Sequence, residues 1–337
     1  MAKRPTVADL MANRGRHQYA MLRVETLDEA AAAAAAGVEL FSIPPAMIHD
    51  RRFREVAPHA FAFPGDNFYE IGGTDDFLRW ALPLYKAGAD GVYCSGSLKT
   101  VRELADHAIP VCGHVGLIPS KATWTGGFKA VGKTLDSAKR VWDQCVALAD
   151  AGAFAVEIEV VPHSITQAIA EKTDLFLISM GAGAGGHAQY LFTDDVLGQN
   201  SGHVPRHAKV YANFAAEHAR LQTLRIEAMT RFAQRGSQVI VAIGFSQASA
   251  VEAAAKKFPN VKFAIIDGTV NLPNVQSINF REHESSFLCG MAAALASKTG
   301  KVGFVGGMDI PLIRKFARGY ADGAKFVNPS VEVYQNM

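Results

Sequence analysis

Seven short apolar runs, each followed by a helical stretch, govern what this chain can fold into. The runs "YAMLRV", "VELFSI", "HAFAF", "DGVYC", "IPVC", "FAVEIE" and "DLFLIS" fill its first two thirds, separated by segments such as "TLDEAAAAAAAG" and "TLDSAKRVWDQCVALADAG". Strands that are apolar on both faces and joined through helices belong to a parallel sheet. Seven of them favour a closed (β/α)8 barrel over an open sheet, and "DDVLGQN" at 194–200 is expected to supply a short eighth strand. Thr26 and Thr134, each followed by an acidic residue, read as helix N-caps, and the glycines of "AAG", "KAG" and "DAG" read as C-terminal stops. A long helical stretch from Pro205 to Gln234 is expected to close the unit.

The composition changes at "RGSQ", residues 235–238. Beyond it the pattern restarts as strand "VIVAIGF", helix "SQASAVEAAAKKF", strands "VKFAIID" and "VQSINF", a further helix, strand "KVGFVGG", helix "PLIRKFARGYADGAKF" and a last strand "VEVYQNM". This is open α/β logic with an unfinished sheet. The predicted domains are therefore 1–236 and 237–337.

A formal net charge of +2 gives no electrostatic case for nucleic acid or an anionic membrane. No apolar run approaches the 18 or so residues a membrane span needs. The four cysteines lack CxxC or metal-ligand spacing, and three lie in core-like runs, as expected of reduced thiols in a cytoplasmic protein.

Candidate site residues follow from strand ends, because the C-terminal mouth of such a barrel is where active sites are built. His114 in "VCGHVGLIPS" follows the strand "IPVC", and the neighbouring Gly113 lets backbone approach a ligand. The imidazole either binds a carbonyl or carboxylate oxygen or ties the loop to a backbone carbonyl. In "FAVEIEVVP", strand alternation puts Glu157 and Glu159 on one face. Glu159, nearest the strand end, is either an acid or base with a pKa raised by partial burial, or an interior carboxylate paired with a cation. "GGFKAVGK" at 126–133, with Lys129, could hold an anion or fold over the site. "SMGAGAGG" at 179–186, with Gly183, leaves backbone free for an anion but lacks the P-loop pattern.

Taken in order, "VCGHVGLIPS", "GGFKAVGK", "AGAFAVEIEVVP", "GAGAGGHAQYLFTDDVLG" and "SGHVPRHAKVYANF" resemble the ketopantoate hydroxymethyltransferase family over about residues 5–234. The resemblance implies a barrel of the phosphoenolpyruvate mutase type, assembling as a homo-oligomer. It also implies removal of a C3 proton from a small-molecule 2-oxo acid, 3-methyl-2-oxobutanoate, and addition of a one-carbon unit from methylenetetrahydrofolate. Glu159 matches the family's proton-transferring glutamate and His114 its substrate-contacting histidine. The family holds magnesium on acidic side chains at early strand ends. Here those positions read as Pro45 and Gly65, with Asp66 adjacent. Tyr93 stands where the family has a substrate-binding lysine, and Ser95 where it has an outer acid. The resemblance thus implies that no metal ligand set is retained, although magnesium belongs to the family.

Residues 238–337 are similar to part of the basic membrane lipoprotein (BMP) family of periplasmic-binding-protein folds, several of which bind purine nucleosides. The likeness covers the middle of that fold, without its opening strand and the end of its second lobe, so the two parts read as a fusion or chimera, or as a fold completed by another chain. Asp309 in "GGMDIP" reads as a helix N-cap. Two functions stay open: a divergent hydroxymethyltransferase-like enzyme, or a catalytically inactive binding or scaffold protein whose C-terminal part binds a nucleoside.

Overall fold

A computed structural model describes residues 3–65, 71–200, 202, 204–307 and 309–336. It divides into two compact units, Met1–Ala216 and Glu217–Met337.

In the first unit, among the described residues, eight strands form one sheet: β1 (Tyr19–Arg23), β2 (Leu40–Ile43), β3 (Phe61–Pro64), β4 (Val92–Tyr93), β5 (Val111–Gly116), β6 (Ala155–Glu159), β7 (Phe176–Met180) and β8 (Ala188–Phe192). The order β3-β2-β1-β8-β7-β6-β5-β4 is parallel at every ladder. The first helix, α1 (Val7–Ala12), sends Leu10 into the interior cluster with Tyr19, Met21, Phe61, Phe63 and Phe176. The helices α2 (Leu27–Ala35), α3 (Pro45–His49), α4 (Arg51–Val56), α5 (Thr74–Lys86), α6 (Leu98–Asp106), α7 (Ala122–Thr125), α8 (Leu135–Asp150), α9 (His163–Lys172) and α10 (Thr193–Val196) follow in chain order. The alternating outward residues, such as Val111, Val115, Val156 and Ile158, pack on the helices in a second apolar layer. Thr26 and Thr134 cap α2 and α8 as the sequence indicates, each accepting a backbone N–H three residues on.

The barrel's seam lies between β3 and β4, where polar groups replace the ladder. The Asp90 N–H donates to the Ala62 carbonyl at 3.0 Å, and Asp90 Oδ2 accepts from the Ala62 N–H at 2.9 Å and from Arg54 at 2.8 Å. Arg54 also donates to the carbonyls of Ala60 and Gly88. Burial lowers the Arg54 pKa, and the charge of Asp90 opposes that. Removing Asp90 deprives a buried N–H and a largely buried cation of their shared acceptor. Asp90→Ala is expected to cost about 2–3 kcal/mol, read as a shift of the urea midpoint.

The eighth strand is not 194–200: Asp194 and Asp195 lie in α10, and β8 is "AQYLF". The connection from β7 to β8 is seven residues with no helix, so the strand begins two residues after the glycine run. The long helix α11 runs Phe214–Gln234, not from Pro205. Its Ile226, Met229 and Ala233 pack in the second unit's cluster, which is why the units divide at its first turn, before the composition change near residue 236.

The second unit holds β9 (Val239–Ile243), α12 (Ala248–Lys257), β10 (Lys262–Ile266), β11 (Val275–Ile278), α13 (Glu282–Ala296), β12 (Lys301–Val305), α14 (Pro311–Val327) and β13 (Glu332–Asn336). They make a parallel three-stranded sheet, β11-β10-β9, and a parallel pair, β12-β13. One face of the larger sheet packs on α12 through Ile240, Phe263 and Ile265, whereas Val239, Val241 and Ile243 on the other face are exposed. Helices α13 and α14 meet at glycines: a Cβ on Gly323 would lie 1.9 Å from the Phe287 carbonyl oxygen. Asp309 does not cap α14, whose N-cap is Ile310; it forms an ion pair with Arg314 instead, at 2.8 Å.

Among the described residues, no helix is long and apolar enough to cross a membrane. Of the four cysteines, Cys94, Cys112 and Cys145 are buried and Cys289 is exposed.

Candidate active site

Strands β5 and β6 lie side by side, with His114 opposite Glu157 and Gly116 opposite Glu159. Alternation turns His114, Glu157 and Glu159 inward, above the interior residues Cys112 and Ala155. His114 Nε2 is 3.1 Å from Glu159 Oε2 and 3.6 Å from Glu157 Oε1. The three side chains are nearly buried, so their charges interact through little water.

Burial pushes the Glu157 pKa up, which the charge of His114 opposes and that of Glu159 reinforces; Tyr93 hydrogen-bonds the same carboxyl. The Tyr93 hydroxyl also lies 3.9 Å from Met21 Sδ. Burial alone would lower the His114 pKa, but the charge of Glu157 and the hydrogen bond to Glu159 outweigh it, and the net shift is upward. The charge of Glu157 and the hydrogen bond to Glu159 favour an imidazolium at His114. The acid–base pair is then ready-made.

A cavity of about 630 Å³ opens over this trio at the strands' C-terminal ends. Arg23, Glu25, Ser42, Gly65, Tyr93, Ser95, Tyr190, Asp195, Asn200 and His207 also line it. Val160, just after Glu159, has φ +48°, an outlier for a β-branched residue. The ladder bond from its N–H to the Met180 carbonyl, 2.8 Å, and the one its own carbonyl accepts from the Val131 N–H hold it there.

Of the residues singled out in sequence, His114, Glu159 and Tyr93 therefore share one cavity, and Gly113, Lys129 and Gly183 do not line it. Gly113 faces outward: a Cβ there would lie 2.7 Å from Leu148 Cδ1, so its smallness serves the packing of α8. Lys129 is exposed, with its ammonium next to Gly126. The Gly183 carbonyl is taken by the Ser179 hydroxyl and the Gln189 amide, 2.7 and 2.8 Å away. Its neighbours Ala184, Gly185 and Gly186 line a separate cleft of about 720 Å³, which also contains Gln18 and His187 at the strands' N-terminal ends. Asp66 lies outside the described residues. Sequence reasoning missed Arg23, Ser42, Asp195, Asn200 and His207. Arg23 carried a usable signal, since it ends "YAMLR" just as His114 nears the end of its own strand.

His187 is a structural histidine: its Nδ1 accepts the Leu177 N–H at 2.9 Å, and burial pushes its pKa down to about 4. Because the folded value lies below the unfolded 6.5, the stabilisation is complete above pH 6.5 and is lost as pH falls toward 4. The expected loss by pH 5 is about 2 kcal/mol. His114 and Glu157, both raised, act in the opposite sense: their contribution is fullest below the unfolded carboxyl value of 4.5 and declines as pH rises through the folded His114 pKa, above 6.5. Thermal unfolding between pH 7 and 5 should show a shallower acid-side decline in His187→Asn, which keeps an acceptor but cannot be protonated.

Magnesium prefers oxygen ligands and keeps its own waters. Among the described residues, the ends of β2 and β3 present Ser42, Pro44, Pro45 and Gly65, with no carboxylate, and the Arg23 guanidinium lies among them, 3.3 Å from Ser42 Oγ. These residues do not fit the family's ion. His114, Glu157 and Glu159 each offer one ligand atom, all within 4.8 Å of one another, and could hold a metal. Their mixed nitrogen and oxygen donors suit zinc or manganese better than magnesium.

Residues 205–337 match the model of the PnrA-like ABC transporter substrate-binding proteins. The chain is 37% identical over 175 residues to the 3-methyl-2-oxobutanoate hydroxymethyltransferase of Deinococcus radiodurans, covering 50% of this chain and 62% of that protein. It is 42% identical over 150 residues to the enzyme of the same name from Pyrobaculum aerophilum, covering 44% and 56%. The chain thus spans less than two thirds of either relative's length. Among solved structures, 2,3-dimethylmalate lyase, a member of the PEP mutase/isocitrate lyase superfamily, aligns with a TM-score of 0.42 at 13% identity, over 69% of this chain and 89% of that one. The ketopantoate hydroxymethyltransferase model matches residues 68–236, half of the chain and strands β4 to β8 of the barrel, and the chain belongs to that family.

Proposed function

We propose that the barrel removes the C3 proton of a 2-oxo acid of the 3-methyl-2-oxobutanoate type and passes the resulting carbanion equivalent to a one-carbon unit. The observation that carries this reading is the 3.1 Å pair of His114 and Glu159 at the floor of a cavity large enough for such an acid. The Glu159 carboxylate accepts the proton as the C3–H bond breaks. The electron pair moves into the C2–C3 bond, and the charge develops on the keto oxygen, where an imidazolium N–H of His114 can donate to it. C3 of the enolate is then the nucleophile toward the one-carbon unit, for which methylenetetrahydrofolate is the family's donor.

The test is proton NMR of 3-methyl-2-oxobutanoate in deuterated water with the full chain. Loss of the C3 proton signal well above the buffer rate is the expected result. A rate equal to buffer would remove the catalytic reading.

The match of residues 205–337 to a substrate-binding family favours a second reading, in which this unit binds a small solute. A purine nucleoside that raises the thermal midpoint without any C3 exchange would support it.

A further inference from the structure

Resting on the oxo-acid reading above, we propose that Arg23 is the resident cation of this site: it grips the carboxylate and keto oxygen of the substrate where the family would place a divalent ion, so that binding and proton abstraction need no metal.

Three adjacent strand ends converge on this guanidinium. Arg23 ends β1, its NH1 lies 3.3 Å from Ser42 Oγ on β2, and it lies 3.4 Å from the Gly65 carbonyl beyond β3. Both contacts are long, at the weak end of the hydrogen-bond range, and both acceptors are neutral. Glu25 takes the other edge, from Nε at 2.6 Å and NH2 at 3.2 Å, and fixes the plane of the group. The side chain is 17% exposed and lines the same cavity as His114 and Glu159.

Gly65 completes the argument. A Cβ there would lie 3.3 Å from Tyr93 Cδ2 and 3.6 Å from Arg23 NH1, so an acidic side chain at this position would reach the guanidinium edge that Glu25 leaves open. Among the described residues NH1 has no carboxylate partner, and glycine leaves it available to one brought by a ligand. Lysine is absent at position 93, where the buried Tyr93 offers no charge. Arginine stays protonated throughout, and its planar fork suits a carboxylate and an adjacent keto oxygen. During the reaction the proton goes from C3 to Glu159 and the electron pair to the enolate. Arg23 exchanges no proton and stabilises the oxyanion by charge.

The experiment uses the full chain after treatment with EDTA and measures both 3-methyl-2-oxobutanoate binding, by titration calorimetry, and C3 exchange. Binding to the wild type is expected to survive EDTA and to gain less than about twofold on adding magnesium. Arg23→Gln should weaken binding by about 30- to 1,000-fold, and Arg23→Lys by less. Gly65→Asp, which leaves Arg23 in place, should weaken binding comparably by occupying the guanidinium. Methylguanidinium should partly restore exchange to Arg23→Ala, which a merely structural role would not allow. Binding that requires magnesium, binding unchanged in both Arg23→Gln and Gly65→Asp, or no binding under any condition would overturn the proposal. Metal-free, Arg23-dependent binding with no exchange would uphold Arg23 and sink the catalytic reading instead.

Discussion

Glu159→Gln is expected to slow C3 hydrogen exchange by about 10²–10⁴-fold, the usual contribution of a positioned general base, while 3-methyl-2-oxobutanoate still binds. The amide is nearly isosteric with the carboxylate and can accept the hydrogen bond from His114 Nε2, now 3.1 Å from Glu159 Oε2, but it cannot take a proton. Glu157 serves as the internal control. Glu157→Gln removes a charge that helps keep His114 protonated but leaves the base in place, so it should slow exchange less than Glu159→Gln does. Equal losses in the two variants would mean that the carboxylates act as a pair. A loss confined to Glu157→Gln would reverse their roles. The readout is the exchange rate in deuterated water at saturating substrate, with binding measured separately.

Gly116→Ala should cost more than about 4 kcal/mol or abolish folding of the barrel, a size reached only through a specific steric or backbone fault. The residue ends β5 at φ +87°, and a Cβ there would lie 2.2 Å from the Glu159 carbonyl oxygen and 2.8 Å from Val161 Cγ2. Neither neighbour can yield easily: the carbonyl belongs to the adjacent strand and accepts the Leu117 N–H at 2.9 Å, and Val161 is buried. The matching control is Gly37, at φ +84° with nothing within 4 Å of its Cβ. Gly37→Ala meets only the conformational penalty, about 1–2 kcal/mol. Urea unfolding of the two variants separates crowding from backbone strain. Similar midpoints would show that crowding against Glu159 does not matter. Any folded Gly116→Ala protein should also have lost exchange, because the added methyl moves the base.

Much of the barrel could be read from sequence because its strands are buried on both faces and its helices carry ordinary caps and stops, as Thr26 and Thr134 show. The exception was β8. The pattern rule expects a helix between parallel strands, and a seven-residue glycine-rich crossover supplies none, so "AQYLF" went unrecognised while the acidic turn after it was taken for the strand. The compact units divide at the start of α11, whereas the hydroxymethyltransferase family model extends to residue 236. An amphipathic helix shows that it has an apolar face without saying which core receives it, and α11 packs with β9, β10 and α12.

At the site, strand alternation put Glu157 and Glu159 on one face, whereas His114, expected beyond the end of its strand, lies within β5 opposite Glu157. Alternation could not show that Glu157 would be buried deeply enough for its pKa to rise, because that depends on residues other strands bring around it. Gly113, Lys129 and Gly183 were drawn from loops or small-residue patterns, where chemistry suggests a role but no periodicity fixes a direction. Arg23 was passed over because a single arginine in an apolar strand reads as an edge charge until β2 and β3 are seen to bring Ser42 and Gly65 beside it.

A crystal structure of the full chain with 3-methyl-2-oxobutanoate bound tests most directly whether His114 and Glu159 hold one oxo acid between them. The expected result places the keto oxygen within about 3 Å of the His114 imidazole and C3 facing the Glu159 carboxylate at a distance suited to direct proton transfer. A ligand seated outside this cavity, or one whose C3 points away from Glu159 with the carboxylate out of reach, would contradict it.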